Sequence, residues 1–248
     1  MLMHPTIDNM RTLKLFGMIK ALEAQADVQE IAGLSFEDRL GLLVDAELIA
    51  RENKQLQSRM KSAKLRLSAC IEDLDVQSNR GLDRSAVASL STCDWIKRCR
   101  NILVTGPTGA GKTYVSCAIA QKACRAGYTV VYERATKLFH DLALAKADGR
   151  YYKILSTLAK KDLIVIDDFA LAPLTDEQRR DLLEIVEERY NRKSTLIASQ
   201  IPVDHWHDII GDPTIADAIL DRLIHNAHKL CLKTKVSKRK ESHQDLEF

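Results

Sequence analysis

The stretch NILVTGPTGAGKTYVSCAIAQKACRAG, residues 101–127, decides the fold. It opens on a β-branched apolar run, passes directly into GPTGAGKT (106–113), and continues in a helical pattern. Those eight residues match G-x-x-x-x-G-K-[ST], and a strand before with a helix after is the context that makes such a match a phosphate-binding loop. Gly106, Gly109 and Gly111 let the backbone curl until its N–H groups and the start of the helix face phosphate oxygens, with Pro107, Thr108 and Ala110 completing the loop. Lys112 would reach the β- and γ-phosphates, and the Thr113 hydroxyl would bind Mg²⁺. At background residue frequencies a chance match in a chain of this length has a probability of order 1%.

Outward from the loop, short β-branched runs alternate with helical stretches, the pattern of βαβ units and a mainly parallel sheet. The strand candidates are 101–106, 129–133, 162–167, 194–199 and 228–233. LIVIDDF (163–169) is an apolar strand ending in two acids. Two acids after a strand often serve only as a helix N-cap. Beside a phosphate loop they carry chemistry: Asp167 would hold Mg²⁺, mostly through water, and Asp168 would orient or deprotonate the attacking water. The strand TVVYE intervenes, so the acids sit on the third strand. They come beside the loop only with another strand inserted, which predicts the order 5-1-4-3-2. STLIASQ would then neighbour the loop strand and end in Ser199 and Gln200, polar groups able to touch the γ-phosphate or the water. An ordinary strand-end turn is the alternative there. No NKxD tetrapeptide follows the acids, so ATP is expected rather than GTP.

Composition bounds the rest. The 248 residues are 46% apolar, with 37 basic and 34 acidic side chains and a net charge of +3, which excludes disordered and collagen-like chains. No apolar run approaches the roughly 18 residues a membrane crossing needs. The N-terminal stretch scatters charges through its apolar residues, leaving no secretory core, and a cytoplasmic protein is expected. The six cysteines form no CxxC pair and are expected to be reduced packing residues. His205, His207, His225 and His228 lack a third ligand at a helpful spacing.

The charges are unevenly placed. Residues 51–66 hold Arg51, Lys54, Arg59, Lys61, Lys64 and Arg66 against Glu52, and KTKVSKRK (233–240) holds five cations. Solvated surface is one reading of either run; two such runs in a nearly balanced chain point to a polyanion partner. Tyr151 and Tyr152 between Arg150 and Lys153 form a mixture able to grip nucleic-acid backbone, or else a surface helix end. Arg222 would pair with Asp217 or Asp221 at the surface, or act as an arginine finger in a neighbouring subunit.

Before residue 92 the pattern is helical. Ser35 and Asp38 give a capping signature, and Leu40, Leu43, Val44 and Leu48 keep the spacing of one buried stripe. A helix over 36–68 is predicted, with SNRGLDRS (78–85) as a linker, giving a helical domain over 1–92 and an ATPase domain over 93–248.

GPTGAGKT, LIVIDDF with PLTDEQRRDLLEIVEERY, STLIASQIPVDHWH, DPTIADAILDRLIHNAHK and LSFEDRLGLLVDAE together strongly resemble the IstB family. These are AAA+ ATPases encoded beside the transposase in bacterial insertion sequences, and they are more distantly similar to the helicase loader DnaC. The resemblance covers nearly the whole chain. It implies an AAA+ core with little or no lid domain behind an all-helical N-terminal domain, ATP-dependent self-assembly on duplex DNA, DNA bending, and recruitment of the cognate transposase in the nucleoid. It places nucleotide contacts on Gly106 to Thr113, magnesium on Thr113 and Asp167, water activation on Asp168, a sensor on Ser199 with Gln200, and the arginine finger on Arg222. Asp168 stands where many AAA+ proteins carry Glu, which suits slow hydrolysis. The family's closing GESMR is replaced by TKVSKRK, in which Ser237 and Arg239 keep a Ser-x-Arg pattern. An added helix before the acids would enlist Lys146, Arg150 and Lys153 for DNA. A DnaC-like helicase loader and a metabolic P-loop kinase are the other classes; the kinase is disfavoured by the basic runs.

Overall fold

The computed structural model describes residues 5–26, 33–75 and 81–233. Ser237, Arg239 and all of the basic tail but Lys233 lie outside the described residues, as do positions 78–80 of the linker-like stretch. The chain divides into two compact units between Ser58 and Arg59.

The N-terminal unit holds α1 (Pro5–Thr12), α2 (Phe16–Ala26) and most of α3 (Phe36–Ala63). The Ser35 hydroxyl accepts from the Asp38 amide at 3.1 Å and donates to the Asp38 carboxylate at 2.8 Å, which fixes the start of α3. Glu47 accepts from the free amides of Gly17 and Met18 at the start of α2 and from Arg51 Nε. Arg51 first, then those two amides, hold its carboxyl below the usual carboxylate range against desolvation. Two expectations about α3 fail. Of the predicted stripe only Leu43 is buried, while Leu40, Val44 and Leu48 are exposed. The helix also stops at Ala63, because Lys64 turns into the left-handed region at φ 51°.

The second unit is built on β1 (Ile102–Thr105), β2 (Val130–Arg134), β3 (Leu163–Phe169), β4 (Ser194–Ser199) and β5 (His228–Cys231). All pairings are parallel and the order is β2-β3-β4-β1-β5, the arrangement 5-1-4-3-2 predicted from the displaced acids. The strands read as near-continuous apolar runs because both faces of a parallel sheet are covered. Leu103, Ile164, Ile166 and Ile197 join one core cluster with residues of α7 (Ala135–Ala147), α8 (Tyr151–Lys160), α9 (Asp176–Arg189) and α11 (Pro213–Ile224). Trp206, central in the HWH stretch, opens α10 (Trp206–Ile210), is fully buried, and packs edge-on against Phe169 at 5.0 Å. The helix after the loop, α6 (Lys112–Arg125), contacts four of the strands.

The stretch from Arg59 to α4 (Arg84–Ser91) and α5 (Asp94–Lys97) belongs to this unit. Ile71, Leu74, Leu90 and Trp95 are buried, and Arg59 Nε donates to the Cys124 carbonyl at 2.9 Å. Cys93, Cys117 and Cys124 are buried packing residues as expected, whereas Cys231 is exposed.

Candidate functional site

The phosphate loop bridges the end of β1 and the start of α6. Gly106, Gly109 and Gly111 all have positive φ, at 149°, 83° and 90°. Gly106 is required for a second reason: a Cβ there would stand 2.4 Å from the carbonyl oxygen of Leu232, just past β5. Lys112 is buried, and its Nζ donates to the carbonyls of Gly106 at 2.8 Å and Pro107 at 2.9 Å, so the ammonium is held inside the curl of the loop.

The acids arrive from β3. Asp167 is buried, and its Oδ2 accepts from the Thr113 hydroxyl at 2.8 Å and from the Tyr132 hydroxyl at 2.5 Å. Burial first, then the bond to Asp167, push the Tyr132 phenol pKa upward, so it stays a donor. Asp168 has φ 56°, and the β3–β4 register slips between Ile166 and Phe169. That bulge turns consecutive acids in different directions. Asp168 Oδ2 faces Arg134 Nε at 3.2 Å and Arg66 Nη1 at 3.6 Å. The hydroxyl of Thr113 and the carboxylate of Asp167 form an all-oxygen donor pair at the loop's helix end, the chemistry magnesium selects. The loop and this pair fit a magnesium nucleotide.

Of the two strand-end residues, Gln200 makes the contact with the loop: its Oε1 accepts from the Thr108 hydroxyl at 2.7 Å. Ser199, expected as the sensor, is fully buried, and its hydroxyl donates to the Phe169 carbonyl and accepts from the Ile201 amide. Its polar group is therefore committed to the fold. Beside Gly111, Leu74, Asp75, Leu82, Tyr114, Val115 and Leu232 line a small recess next to the phosphate loop. Sequence reading missed this recess along with Tyr132 and Arg134, since their partners lie far off in the chain.

With this geometry in view, comparison with known proteins is decisive. Residues 8–245 match the family described as IstB-like ATP binding protein. The chain belongs to that family. An insertion sequence ATP-binding protein of Sinorhizobium fredii is 46% identical over 97% of this chain and 98% of its own length. The IS1162 ATP-binding protein of Pseudomonas fluorescens is 43% identical over 82% of this chain and 88% of its own. Among solved structures, the DnaC helicase loader aligns at TM-score 0.55 and 20% identity over 66% of this chain and 97% of its own. DnaI aligns at TM-score 0.58 and 19% identity over 71% and 92%. These two show the fold, that of AAA+ proteins.

The remaining predicted residues of this IstB-like chain fall into two groups. Arg222 is at the far end of the sheet from the loop. The Asn101 amide, just before β1, donates to the carbonyls of Arg222 and Leu223. The Arg222 guanidinium pairs with Glu187 at 2.8 Å and donates to the Ala218 carbonyl, so Glu187 takes the place of the expected partners Asp217 and Asp221. Among the basic candidates, Arg51 is paired with Glu47 and Arg150 with Asp148. Lys146 meets buried Asp181 at 2.7 Å and lies over the Tyr151 ring, so it supports the helical layer. Lys54, Lys61, Lys64 and Lys153 are exposed, and no helix among the described residues is long and apolar enough to cross a membrane.

Proposed function

We propose that the chain is an ATP-hydrolysing, DNA-binding regulator of transposition. It would oligomerise on duplex target DNA, remodel it, and recruit or stimulate the cognate transposase. The observation that carries this reading is the position of Arg222. Along β1, at about 3.3 Å per residue, Asn101 and the loop are roughly 16 Å apart. Arg222 is tied to the Asn101 end and cannot reach the phosphates of its own loop, so a finger at this position serves the site of a second copy. The relatives, insertion sequence ATP-binding proteins, supply the biological setting.

The residues divide the work as follows. The loop amides and Lys112 hold the β- and γ-phosphates. Thr113 and Asp167 would hold magnesium, which when bound screens the phosphate charge. Asp168 orients the attacking water and accepts its proton, Gln200 senses the γ-phosphate through its contact with the loop, and Arg222 of a neighbour neutralises charge on the transferring group. Each subunit contributes a few phosphate contacts through Lys54, Lys61, Lys64 and their neighbours, and assembly adds them.

The test is assembly on duplex DNA, followed by electron microscopy and by binding at rising salt. With ATP, wild type is expected to form multimers on duplex DNA whose affinity falls steeply with salt. Arg222→Ala should lose about a hundredfold in turnover while changing nucleotide affinity by less than about threefold. Equal losses in both would remove the role in trans, and a preference for single strands would move the chain to the helicase-loader class.

A further inference from the structure

The segment that follows α3 returns one cation of the basic run to the paired acids. Arg66 Nη1 stands 3.6 Å from Asp168 Oδ2, the oxygen that also faces Arg134. The same guanidinium interacts electrostatically with Tyr132, whose hydroxyl donates to Asp167. One side chain from outside the sheet thus meets Asp168 directly and lies beside the phenol that holds Asp167. Arg134 is placed there by the register of β2 on β3, where it stands opposite Asp167. Arg66 has no such constraint. It ends the run Arg59, Lys61, Lys64, Arg66, and its side chain is 43% exposed. The pair is long at 3.6 Å and its guanidinium half is open to solvent, although Asp168 is only 19% exposed, so Arg66 can exchange this carboxylate for another anion.

We propose that Arg66 is a positioning residue that restrains Asp168 and couples the basic segment after α3 to ATP hydrolysis. The proposal rests on the reading of the chain as an ATPase that binds duplex DNA. A carboxylate oxygen facing two guanidiniums has fewer lone-pair directions left for water. When a DNA phosphate takes Arg66, Asp168 keeps Arg134 alone and gains freedom to orient water. Tyr132 remains bonded to Asp167, so the magnesium ligand holds its direction. No bond or proton changes hands in the exchange; an ion pair passes from a carboxylate to a phosphodiester.

Steady-state ATP hydrolysis by full-length wild type, Arg66→Ala and Arg66→Lys, without and with duplex DNA, tests this, alongside binding of a fluorescent ATP analogue. Without DNA, Arg66→Ala is expected to raise kcat by about threefold or more while nucleotide affinity stays within about twofold, and Arg66→Lys should return toward the wild-type rate. Duplex DNA should stimulate wild type yet add less than about twofold to Arg66→Ala. A DNA-free rate in Arg66→Ala at or below that of wild type, with an unchanged melting temperature, overturns the proposal. Should Arg66→Ala fail to fold, Arg66→Gln takes its place: a raised DNA-free rate supports the restraint and an unraised one overturns it. A wild type indifferent to duplex DNA would overturn the DNA-binding reading, and with it the coupling, while the DNA-free comparison still decides the restraint.

Discussion

The two ends of the central sheet use the same chemical groups in opposite ways. At the carboxyl ends of the strands, Lys112, Thr113, Arg134, Asp168 and Gln200 mostly bond to one another's side chains or to the loop, contacts that phosphate, metal or water can replace. At the amino ends, polar groups are spent on backbone. Arg189 is 1% exposed, and its guanidinium donates to the carbonyls of Leu158, Lys161 and Ser194 and to the Thr195 hydroxyl. Burial pushes its pKa down to about 9. Arg134, by contrast, is 47% exposed and meets a carboxylate. A guanidinium among carbonyls is a fixed staple, because moving it would strand several buried acceptors at once. A half-exposed guanidinium on a carboxylate is adjustable. One end of the sheet is thus built to change partners and the other to hold still.

Substitutions at each end can break or sharpen that contrast. The largest effect is expected for Lys112→Ala, which removes the cation from the loop: ATP turnover should fall on the order of a thousandfold, about 4 kcal/mol, with the melting temperature of the protein alone almost unchanged. Arg189→Ala should do the reverse. Its loss takes one donor from each of three carbonyls, of which Leu158 keeps the Lys161 amide, and opens a cavity, costing about 3 kcal/mol in denaturant unfolding, while nucleotide affinity of the folded fraction stays within about twofold. A drop in affinity without a drop in stability would erase the distinction between the ends. The smallest effect is expected for Gln200→Ala, a loss of about fivefold in turnover, near 1 kcal/mol. Ser199→Ala, measured beside it, should act on unfolding rather than on turnover; the opposite result would restore Ser199 as the sensing group.

Much of this was legible in the chain because the signals were local or topological. The loop announces itself in eight consecutive residues, and the intervening strand TVVYE forces the acids onto β3 and hence fixes the strand order. Side-chain commitments were harder to read. Ser199 and Gln200 are adjacent polar residues at a strand end, and only the bulge opposite Phe169 decides which of them turns toward the loop. Leu40, Val44 and Leu48 share a helix face as their spacing says, but spacing reports which residues line up, not whether another element covers them. The end of α3 at Ala63 rests on Lys64 adopting a left-handed conformation, for which lysine carries no signal. Arg66, Tyr132 and Arg134 meet the acids through contacts tens of residues apart, beyond any periodicity.

Asn101 joins the carbonyls of residues 222 and 223 to the root of the strand whose tip becomes the phosphate loop. Under the trans assignment of Arg222, each subunit then holds its own triphosphate and reaches for its neighbour's with opposite ends of one stiff strut. If the proposed assembly forms, a row of such subunits would have little play between successive sites, and a displacement produced by one hydrolysis event would be handed on at nearly full size instead of being absorbed along the way.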